Sequence, residues 1–468
     1  TIILMGHMDV VDILDYGEKM DMAFKPLELT ENLKNKDLSP AVQRDLESGD
    51  YLFGRGVSDM KAGQALQIAL LQHFSEQKND FPGNILFLSV PDEETSSRGM
   101  VHSVPFLNEL SEKFDLEFEA VINNEPRFPN YPGDDSNYIY TGSMGKSVVM
   151  FYAYGKETHV GDALSGLNGN LIISEIIRDL EGNLDFCESL GDVISPPPTC
   201  LKQRDYKRLY SAQIPHNAAT YFNMPVIDTD PEEMLNKLMD LAGNSFEKVL
   251  ENIKNKQKKY FKMKGINADS SEWESLVYSY KEFYQEVYEE VGEKVEEEIE
   301  KIYSNHSDNK GQQEISLMIV DKLQELSSNK KPKIIVGYVP PYYPSVITNA
   351  KDKRETNILN TVDEIIEIAD KKFNESIKIS RSFSGISDLS YFNLRNYKKA
   401  EKYLKPNMPN WGYDYEIPIA EIEKLNVPVL NMSIFGKDAH KFTERLKVDY
   451  SFEVLPELMK DTIKMLLS

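Results

Sequence analysis

The chain has 468 residues, of which 41% are hydrophobic, and this length suits two or three domains better than a single core. Its 53 lysines and arginines against 76 aspartates and glutamates leave a net charge of −23. This acidity argues against binding to nucleic acids or to anionic membranes, because both carry negative charge. No apolar run is long enough to span a bilayer, and no basic segment of the kind found in signal peptides precedes the first apolar residues.

The two cysteines, Cys187 and Cys200, do not form a Cys-x-x-Cys pair. The sequence therefore predicts neither a disulfide framework nor a cysteine zinc site, and it fits a reducing compartment. We predict a cytoplasmic protein. The chain starts without methionine and directly in a predicted strand, so we expect the natural chain to have a further N-terminal segment.

The first third of the chain alternates strand and helix patterns. Apolar runs predict strands at 1–7, 83–94 and 118–126, and helical spacing of apolar residues predicts a helix over 59–77. Short apolar strands that alternate with helices are typical of a parallel α/β sheet. The polar residues that follow these strands then lie at one edge of the sheet, where ligands bind in such folds.

From about residue 148 the pattern changes to a smaller α+β unit. The predicted elements are strands at 146–155, 218–226 and 332–340, and helices at 169–182 and 231–253. The interval from about 254 to 330 is dense in lysine and glutamate, and we predict that it forms an insertion of solvated helices.

After residue 346 the α/β pattern returns, with helices predicted at 358–373 and 455–467 and a strand at 427–436. We therefore predict an α/β fold with a mixed sheet flanked by helices. One domain comprises residues 1–147 and 346–468, and a smaller α+β domain of residues 148–345 interrupts it.

Histidines and carboxylates gather at the predicted strand ends and in adjacent loops. They are His7, Asp9, Asp59, Glu93, Glu94, Glu125 and, near the other end of the chain, His440. Imidazole and carboxylate groups suit Zn²⁺ and related ions, and two histidines with three carboxylates could serve two metals that share a bridging carboxylate. A further carboxylate could then accept the proton of a water molecule. Taken singly, each short pattern is more often structural, such as a hydrogen-bonded His-x-Asp pair or a solvated acidic turn.

Five stretches occur in a characteristic order: GHMDVV, GRGVSDMKAG, PDEE, NNEP and GKDAH. As an ordered set they resemble the co-catalytic zinc family of aminoacylases, glutamate carboxypeptidases and succinyl-diaminopimelate desuccinylases. The stretches DYG, SGISDLSYF and FGKDAHKFTER resemble the arginine-utilisation branch of that family. The resemblance covers nearly the whole chain. It implies a zinc-peptidase-like fold whose catalytic domain is interrupted by a lid, and a homodimer formed through the lids.

The resemblance also implies two zinc ions, which cobalt or manganese can replace. By motif, the implied metal ligands are His7, Asp59, Glu94, Glu125 and His440, with Asp59 shared by both ions.

Three further residues take implied catalytic roles. Asp9 would orient His7, and Glu93 would be the general acid/base. His159, in the stretch THVGDALSGLNGN, would reach the active site of the partner subunit. From sequence position alone, a surface or helix-entry histidine is the alternative interpretation of His159.

Two features depart from the family pattern. Many members have an arginine soon after the Ser-Asp of the fourth block, where it helps to hold a substrate carboxylate. Here Asp388 is followed by Leu389, Ser390 and Tyr391. The lid is also longer than usual. Both features affect the expected substrate, but neither affects the metal ligands.

We predict a zinc-dependent hydrolase that cleaves an amide bond of a small N-acyl amino acid or a related arginine-pathway metabolite. A dipeptidase or carboxypeptidase acting on a small peptide is the alternative enzyme. An inactive binding or scaffold protein is the alternative of another class, but such a protein is expected to have lost at least one ligand. Because all five implied ligands are present, we favour the enzyme.

Overall fold

The computed structural model describes residues 1–34, 36–77, 81–131, 133–191, 193–207, 209–267, 272–306, 310–394 and 397–468. In chain order, its strands are β1 (Ile2–His7), β2 (Tyr51–Phe53), β3 (Ile85–Val90), β4 (Ala120–Asn123), β5 (Asn137–Tyr140), β6 (Gly142–Ser143), β7 (Gly145–Tyr154), β8 (Ser189–Leu190), β9 (Val193–Ile194), β10 (Thr199–Asp205), β11 (Asn217–Val226), β12 (Val277–Ser279), β13 (Lys333–Tyr343), β14 (Val346–Ile347), β15 (Ile377–Ser380), β16 (Val429–Met432), β17 (Gly436–Lys437) and β18 (Arg445–Lys447). Its α-helices are α1 (Pro26–Leu33), α2 (Pro40–Ser48), α3 (Lys61–Glu76), α4 (Arg98–Phe114), α5 (Gly169–Leu180), α6 (Pro231–Met263), α7 (Tyr280–Val291), α8 (Lys294–His306), α9 (Gln312–Leu326), α10 (Lys353–Phe373), α11 (Tyr397–Lys399), α12 (Ile419–Leu425) and α13 (Leu455–Leu466).

The first sheet is mixed and has six strands in the order β15-β5-β16-β4-β1-β3. Strand β1 runs parallel to both of its neighbours, whereas β16 runs parallel to β4 and antiparallel to β5. Strand β1 is buried on both faces, which explains its unbroken apolar run. Because side chains alternate along a strand, Ile2 and Leu4 pack against α3, α10 and α13, and Ile3 and Met5 belong to the core that includes α4 and α12. The predicted α/β fold with a mixed sheet flanked by helices is confirmed.

The second sheet has five strands in the order β10-β11-β7-β13-β12, with β7 antiparallel to both β11 and β13. Helices α5 and α6 cover one face, where Phe151 and Phe222 are buried. Helices α7, α8 and α9 cover the other face, where Met150 and Tyr152 are buried. Apart from the first three residues of β7, this sheet lies within the interval predicted for the smaller domain, whose exact limits stay a prediction.

The charged insertion differs from the solvated helices that we expected. Residues Phe283, Val287, Val295 and Ile299 of α7 and α8 are buried against the second sheet. Their spacing of four residues within each helix is that of an amphipathic helix, and the dense charge on the opposite face makes this spacing hard to recognise in the sequence. The insertion therefore contributes a layer of core to the second sheet.

The chain crosses between the two sheets at Gly145, the first residue of β7. A Cβ atom there would lie 2.6 Å from the backbone nitrogen of Ser345 and 2.7 Å from the carbonyl oxygen of Tyr343, so a side chain has no room. The outgoing and returning connections therefore run side by side at this point. Among the described residues, no helix is both long and apolar enough to cross a membrane.

Candidate metal centre and active site

The site forms where three parallel strands of the first sheet end. Strand β1 lies between β3 and β4, and His7 at its end pairs with Val90 at the end of β3. The loop after β3 carries Glu93 and Glu94, and Glu125 lies two residues beyond β4. The topology therefore brings these side chains to one edge of the sheet.

The first cluster consists of His7, Asp59 and Glu125, all of them buried. The His7 Nε2 atom lies 3.1 Å from Asp59 Oδ1 and 3.8 Å from Glu125 Oε2. One ligand atom from each residue lies within 4.8 Å of the others, which is close enough for a single ion to bind all three.

The second cluster consists of Asp59, Glu94 and His440. The His440 Nε2 atom lies 3.1 Å from Asp59 Oδ2 and 3.0 Å from Glu94 Oε2. Asp59 therefore faces one histidine with each of its carboxylate oxygens, which is the arrangement that a bridging carboxylate needs. His440 has a φ of 66°, a left-handed conformation that is uncommon for residues other than glycine and that recurs at functional sites.

Asp9 connects His7 with the loop that carries both glutamates. The His7 Nδ1 atom lies 3.2 Å from the Asp9 carbonyl oxygen and 3.6 Å from Asp9 Oδ1. The Asp9 carboxylate also accepts the backbone N–H groups of Glu93 at 3.2 Å and Glu94 at 3.1 Å. With Nδ1 donating to Asp9, the Nε2 atom of His7 presents its lone pair to the cluster.

Glu93 belongs to neither cluster but lies beside both. Its Oε2 atom is 3.9 Å from His7 Nε2, and its side chain lines a cavity of about 230 Å³ next to Asp59 and His440. Burial raises the pKa of Glu93 well above its usual range, and the negative charges of Glu125 and Asp388 add to this effect. A carboxyl group in this position can hold and release a proton.

The donor set fits a pair of divalent cations. Burial raises the pKa of Glu125, and the buried Oε1 atom of Glu94 has no hydrogen-bond partner among the described residues. Hydrogen bonds to Asp59 and Glu94 raise the pKa of His440 to about 10, so this cluster of carboxylates favours positive charge. Closely spaced buried carboxylates need a compensating cation, and imidazole and carboxylate are the ligands that zinc and related ions prefer.

A buried charge network that we did not predict from the sequence supports the loop of Asp59. Glu444 Oε1 accepts the backbone N–H groups of Ser58 at 3.1 Å and Asp59 at 3.2 Å. Glu444 Oε2 accepts a hydrogen bond from Arg55 Nη1 at 3.0 Å, and Arg55 Nη2 donates to Asp15 Oδ1 at 2.7 Å. Glu444 follows His440 by four residues, so the network ties the loops of two candidate ligands together.

The residues that form the walls of the cavity were also not predicted from the sequence. They include Phe128, Lys146, Tyr343, Phe383 and Ile386. Tyr343 belongs to the stretch YVPPYYPS, which forms the end of β13, and its hydroxyl accepts a hydrogen bond from Ser97 Oγ at 3.0 Å. The aromatic residues of YVPPYYPS are a weak indication of a pocket in the sequence, but no sequence pattern indicates that Lys146 lines one.

Asp388 lies close to the site and is fully buried. Burial raises its pKa to about 7, and the Ser97 hydroxyl acts in the opposite direction. Within the described residues, neither carboxylate oxygen has a hydrogen-bond donor at ordinary distance. The following residues, Leu389 to Tyr391, are buried as well and bring no cation to the site.

His159 lies in the second-sheet unit and is exposed. Its Nδ1 atom accepts the backbone N–H of Gly161 at 3.0 Å. It is not among the residues that line the cavity or form the two clusters, so within the described part of a single chain the structure does not bring it to the other predicted site residues.

The fold and these clusters are those of a metallohydrolase of peptidase family M20/M25/M40. A model of this family matches residues 3–404, and the chain belongs to the family. Two relatives that match nearly the whole of this chain come from Bacillus subtilis strain 168. The uncharacterized protein YqjN is 40% identical over 469 residues, covering 100% of this chain and 84% of the relative, and protein RocB is 33% identical over 463 residues, covering 99% and 81%. These matches confirm the family and the branch predicted from the ordered motifs.

Solved structures align over the full length at lower identity. The aminopeptidase PepT from Bacillus cereus matches with a TM-score of 0.49 and 13% identity, covering 100% of this chain and 81% of that structure. The M20 family metallo-carboxypeptidase Sso-CP2 from Sulfolobus solfataricus also has a TM-score of 0.49 and 13% identity, with coverage of 100% and 85%.

Proposed function

We propose that this chain is a cytoplasmic two-metal amidohydrolase that cleaves small N-acyl amino acids or related arginine-pathway metabolites. The observation that supports this most is the position of Asp59, which faces a histidine and a further carboxylate on each side. Glu93 remains outside both clusters and beside the cavity. The similarity to RocB over nearly the whole chain supports the branch that the motifs resemble, and the arginine-related substrate class is what that resemblance implies.

His7, Asp59 and Glu125 would hold one ion, and Asp59, Glu94 and His440 the other. When bound, two Zn²⁺ ions, or Co²⁺ or Mn²⁺ in their place, polarise an amide carbonyl and lower the pKa of a nearby water molecule. Asp9 keeps the His7 ring in orientation and fixes the backbone of the loop that carries both glutamates.

Glu93 would carry the proton during the reaction. Its carboxylate takes a proton from the attacking water and returns it to the departing amine nitrogen, so that one residue serves first as base and then as acid. The position of Glu93 at the cavity wall, 3.9 Å from His7 Nε2, supports this role, because a small substrate in the cavity would lie beside it. Asp9 holds the Glu93 backbone, which limits the movement of the side chain.

The first experiment measures metal content. We expect close to two divalent ions per chain in wild-type protein loaded with Zn²⁺, as determined by elemental analysis. His440→Ala should lose mainly one ion, because His440 belongs to the second cluster only. His102→Ala removes an exposed histidine of α4 and should keep both ions, so it is the matched control. Loaded wild-type protein without metal would contradict the proposal.

The second experiment separates the roles of the two adjacent glutamates. Glu93→Gln should keep both ions and lose activity by about 10²–10⁴-fold, the usual contribution of general acid/base catalysis. Glu94→Gln should lose metal, because Glu94 belongs to a cluster and Glu93 does not. A panel of N-acetyl amino acids, acyl-arginine, acyl-ornithine and dipeptides distinguishes a deacylase from a peptidase. If only Glu93→Gln lost metal, the two roles would be exchanged.

A further inference from the structure

The cavity beside the two clusters is acidic, and its described lining contains one lysine in addition to the candidate ligand His440. Its lining includes four carboxylates, those of Asp59, Glu93, Glu94 and Glu125. Among the described residues that line it, Lys146 is the one lysine or arginine.

Lys146 reaches the cavity from the second sheet rather than from the first. It is the second residue of β7, and in the sheet it lies opposite Pro225 of β11 and Tyr343 of β13. Its Nζ atom lies 6.0 Å from the centre of the Tyr343 ring. Lys146 therefore lies where β7 of the second sheet approaches the two clusters.

The ammonium group of Lys146 has no hydrogen bond or ion pair at ordinary distance within the described part of the chain. Burial lowers its pKa, and the charge of Glu93 opposes this effect. A partly buried cation without a counter-ion costs free energy, which a bound anion would recover. Two arginines close to the site, in contrast, are already paired: Arg55 with Asp15 and Glu444, and Arg445 with Asp45.

We propose that Lys146 binds a carboxylate of the substrate, so that this site takes small amides that carry a negative charge. The inference rests on the proposed function and adds the residue that selects the substrate. Phe128 and Phe383, whose ring centres lie 5.3 Å apart, form an apolar wall for the uncharged part of the substrate. The carboxylate can lie on the amine side of the scissile bond or on the acyl side, and the experiment distinguishes the two.

The test measures binding in the Glu93→Gln background, so that turnover does not interfere. Three probes are titrated calorimetrically, with and without Zn²⁺: N-acetylglycine, N-succinylglycinamide and the neutral N-acetylglycinamide. We expect one of the two carboxylate probes to bind at least about tenfold tighter than the neutral probe, because hydrogen bonds between charged groups are stronger than those between neutral groups. The probe that binds tightly identifies the side of the amide that carries the charge.

Lys146→Met and Lys146→Gln should both abolish this preference, and Lys146→Arg should keep most of it. The matched control is Lys441→Met, because Lys441 is an exposed lysine next to His440 that does not line the cavity. A preference that persists in both neutral variants, or no preference before substitution, would overturn the inference. A Lys146-dependent preference in a protein that hydrolyses none of the acyl compounds would support Lys146 while refuting the proposed function.

Discussion

Glu444 has no exposed surface, yet it serves two loops at once. One carboxylate oxygen holds the backbone before Asp59, and the other holds the Arg55 guanidinium. Hydrogen bonds to a charged group are stronger than neutral ones, and partners that orient metal ligands affect metal affinity. Glu444 is therefore a positioning residue for the candidate bridging ligand.

We expect Glu444→Gln to weaken Zn²⁺ binding by about 10–100-fold, the usual effect of losing such a partner. It should also lower the free energy of unfolding by about 3–5 kcal/mol, because Arg55 would lose its buried charged partner and keep only Asp15, whose side chain is 35% exposed. Competition with a chelator and denaturant unfolding measure the two effects.

The control is Glu112→Gln, which breaks the exposed ion pair with Lys424 and should leave the free energy of unfolding nearly unchanged. The double variant Arg55→Met, Glu444→Gln should recover part of the lost stability, because it removes the unpaired charge. Unchanged Zn²⁺ affinity in Glu444→Gln would show that the network does not position Asp59.

The candidate ligands could be predicted from the sequence because each follows an apolar strand or lies within a distinctive motif. Their supporting partners could not. Arg55 and Glu444 are separated by 389 positions, and no local pattern links them. Lys146 lines the cavity only because β7 and β13 pair in a particular register, which neither strand specifies alone.

At the scale of elements, β13 is the strand that joins the second sheet to the cavity. The sequence predicted a strand over 332–340, but β13 continues to Tyr343 in spite of Pro340 and Pro341. The pairing with β7 is irregular between Val339 and Tyr343, which accommodates two residues without backbone N–H donors. Proline content therefore concealed the end of the strand that reaches the site.

Lys333, the first residue of β13, provides a test of how the insertion packs. Its side chain is fully buried over the Phe283 ring of α7, and its Nζ atom donates to the Asn329 carbonyl oxygen at 2.6 Å. Burial lowers the pKa of Lys333 to about 8. The unfolded chain, with a lysine pKa of about 10.4, binds more protons than the folded chain between these values.

The wild type should therefore gain stability relative to Lys333→Met as the pH rises above about 8. The gain should reach about 2 kcal/mol by pH 10, because one unit of pKa corresponds to about 1.4 kcal/mol. Denaturant unfolding of both proteins at pH 7, 8, 9 and 10 gives the difference between their free energies of unfolding. Titrating groups that the two proteins share contribute equally to both and cancel in this difference. A constant difference over this range would mean that Lys333 has an ordinary pKa and that α7 does not cover it.

At the scale of the whole molecule, the exposed position of His159 is consistent with a role outside its own chain. We propose a symmetric dimer through the lids, in which each His159 donates a hydrogen bond to the developing oxyanion in the partner's site. Glu93→Gln and His159→Ala should each be nearly inactive alone. Mixed under conditions of subunit exchange, they should recover roughly a quarter of wild-type activity, because random pairing in a two-fold dimer makes half of the dimers mixed, with one intact site each.

Recovery can be followed in an activity assay, with size-exclusion chromatography and light scattering to verify the dimer. Mixing Glu93→Gln with Glu94→Gln is the control. Each site takes both glutamates from one chain, so every site of a mixed dimer carries one of the two changes and no intact site can form. Verified exchange without recovery would place the action of His159 within its own chain, or outside catalysis.

The two candidate clusters combine residues that are far apart in the sequence, since His7 is the last residue of β1 and His440 lies beyond β16, which is inserted between β4 and β5. During synthesis, which adds about 5–20 residues per second, the first histidine emerges long before the second. The second cluster cannot assemble until β16, which is the last strand of the first sheet in chain order, has paired with β4 and β5. We therefore expect the proposed second ion to bind late in the synthesis of the chain, and ribosome-bound intermediates that end before residue 440 should not bind it.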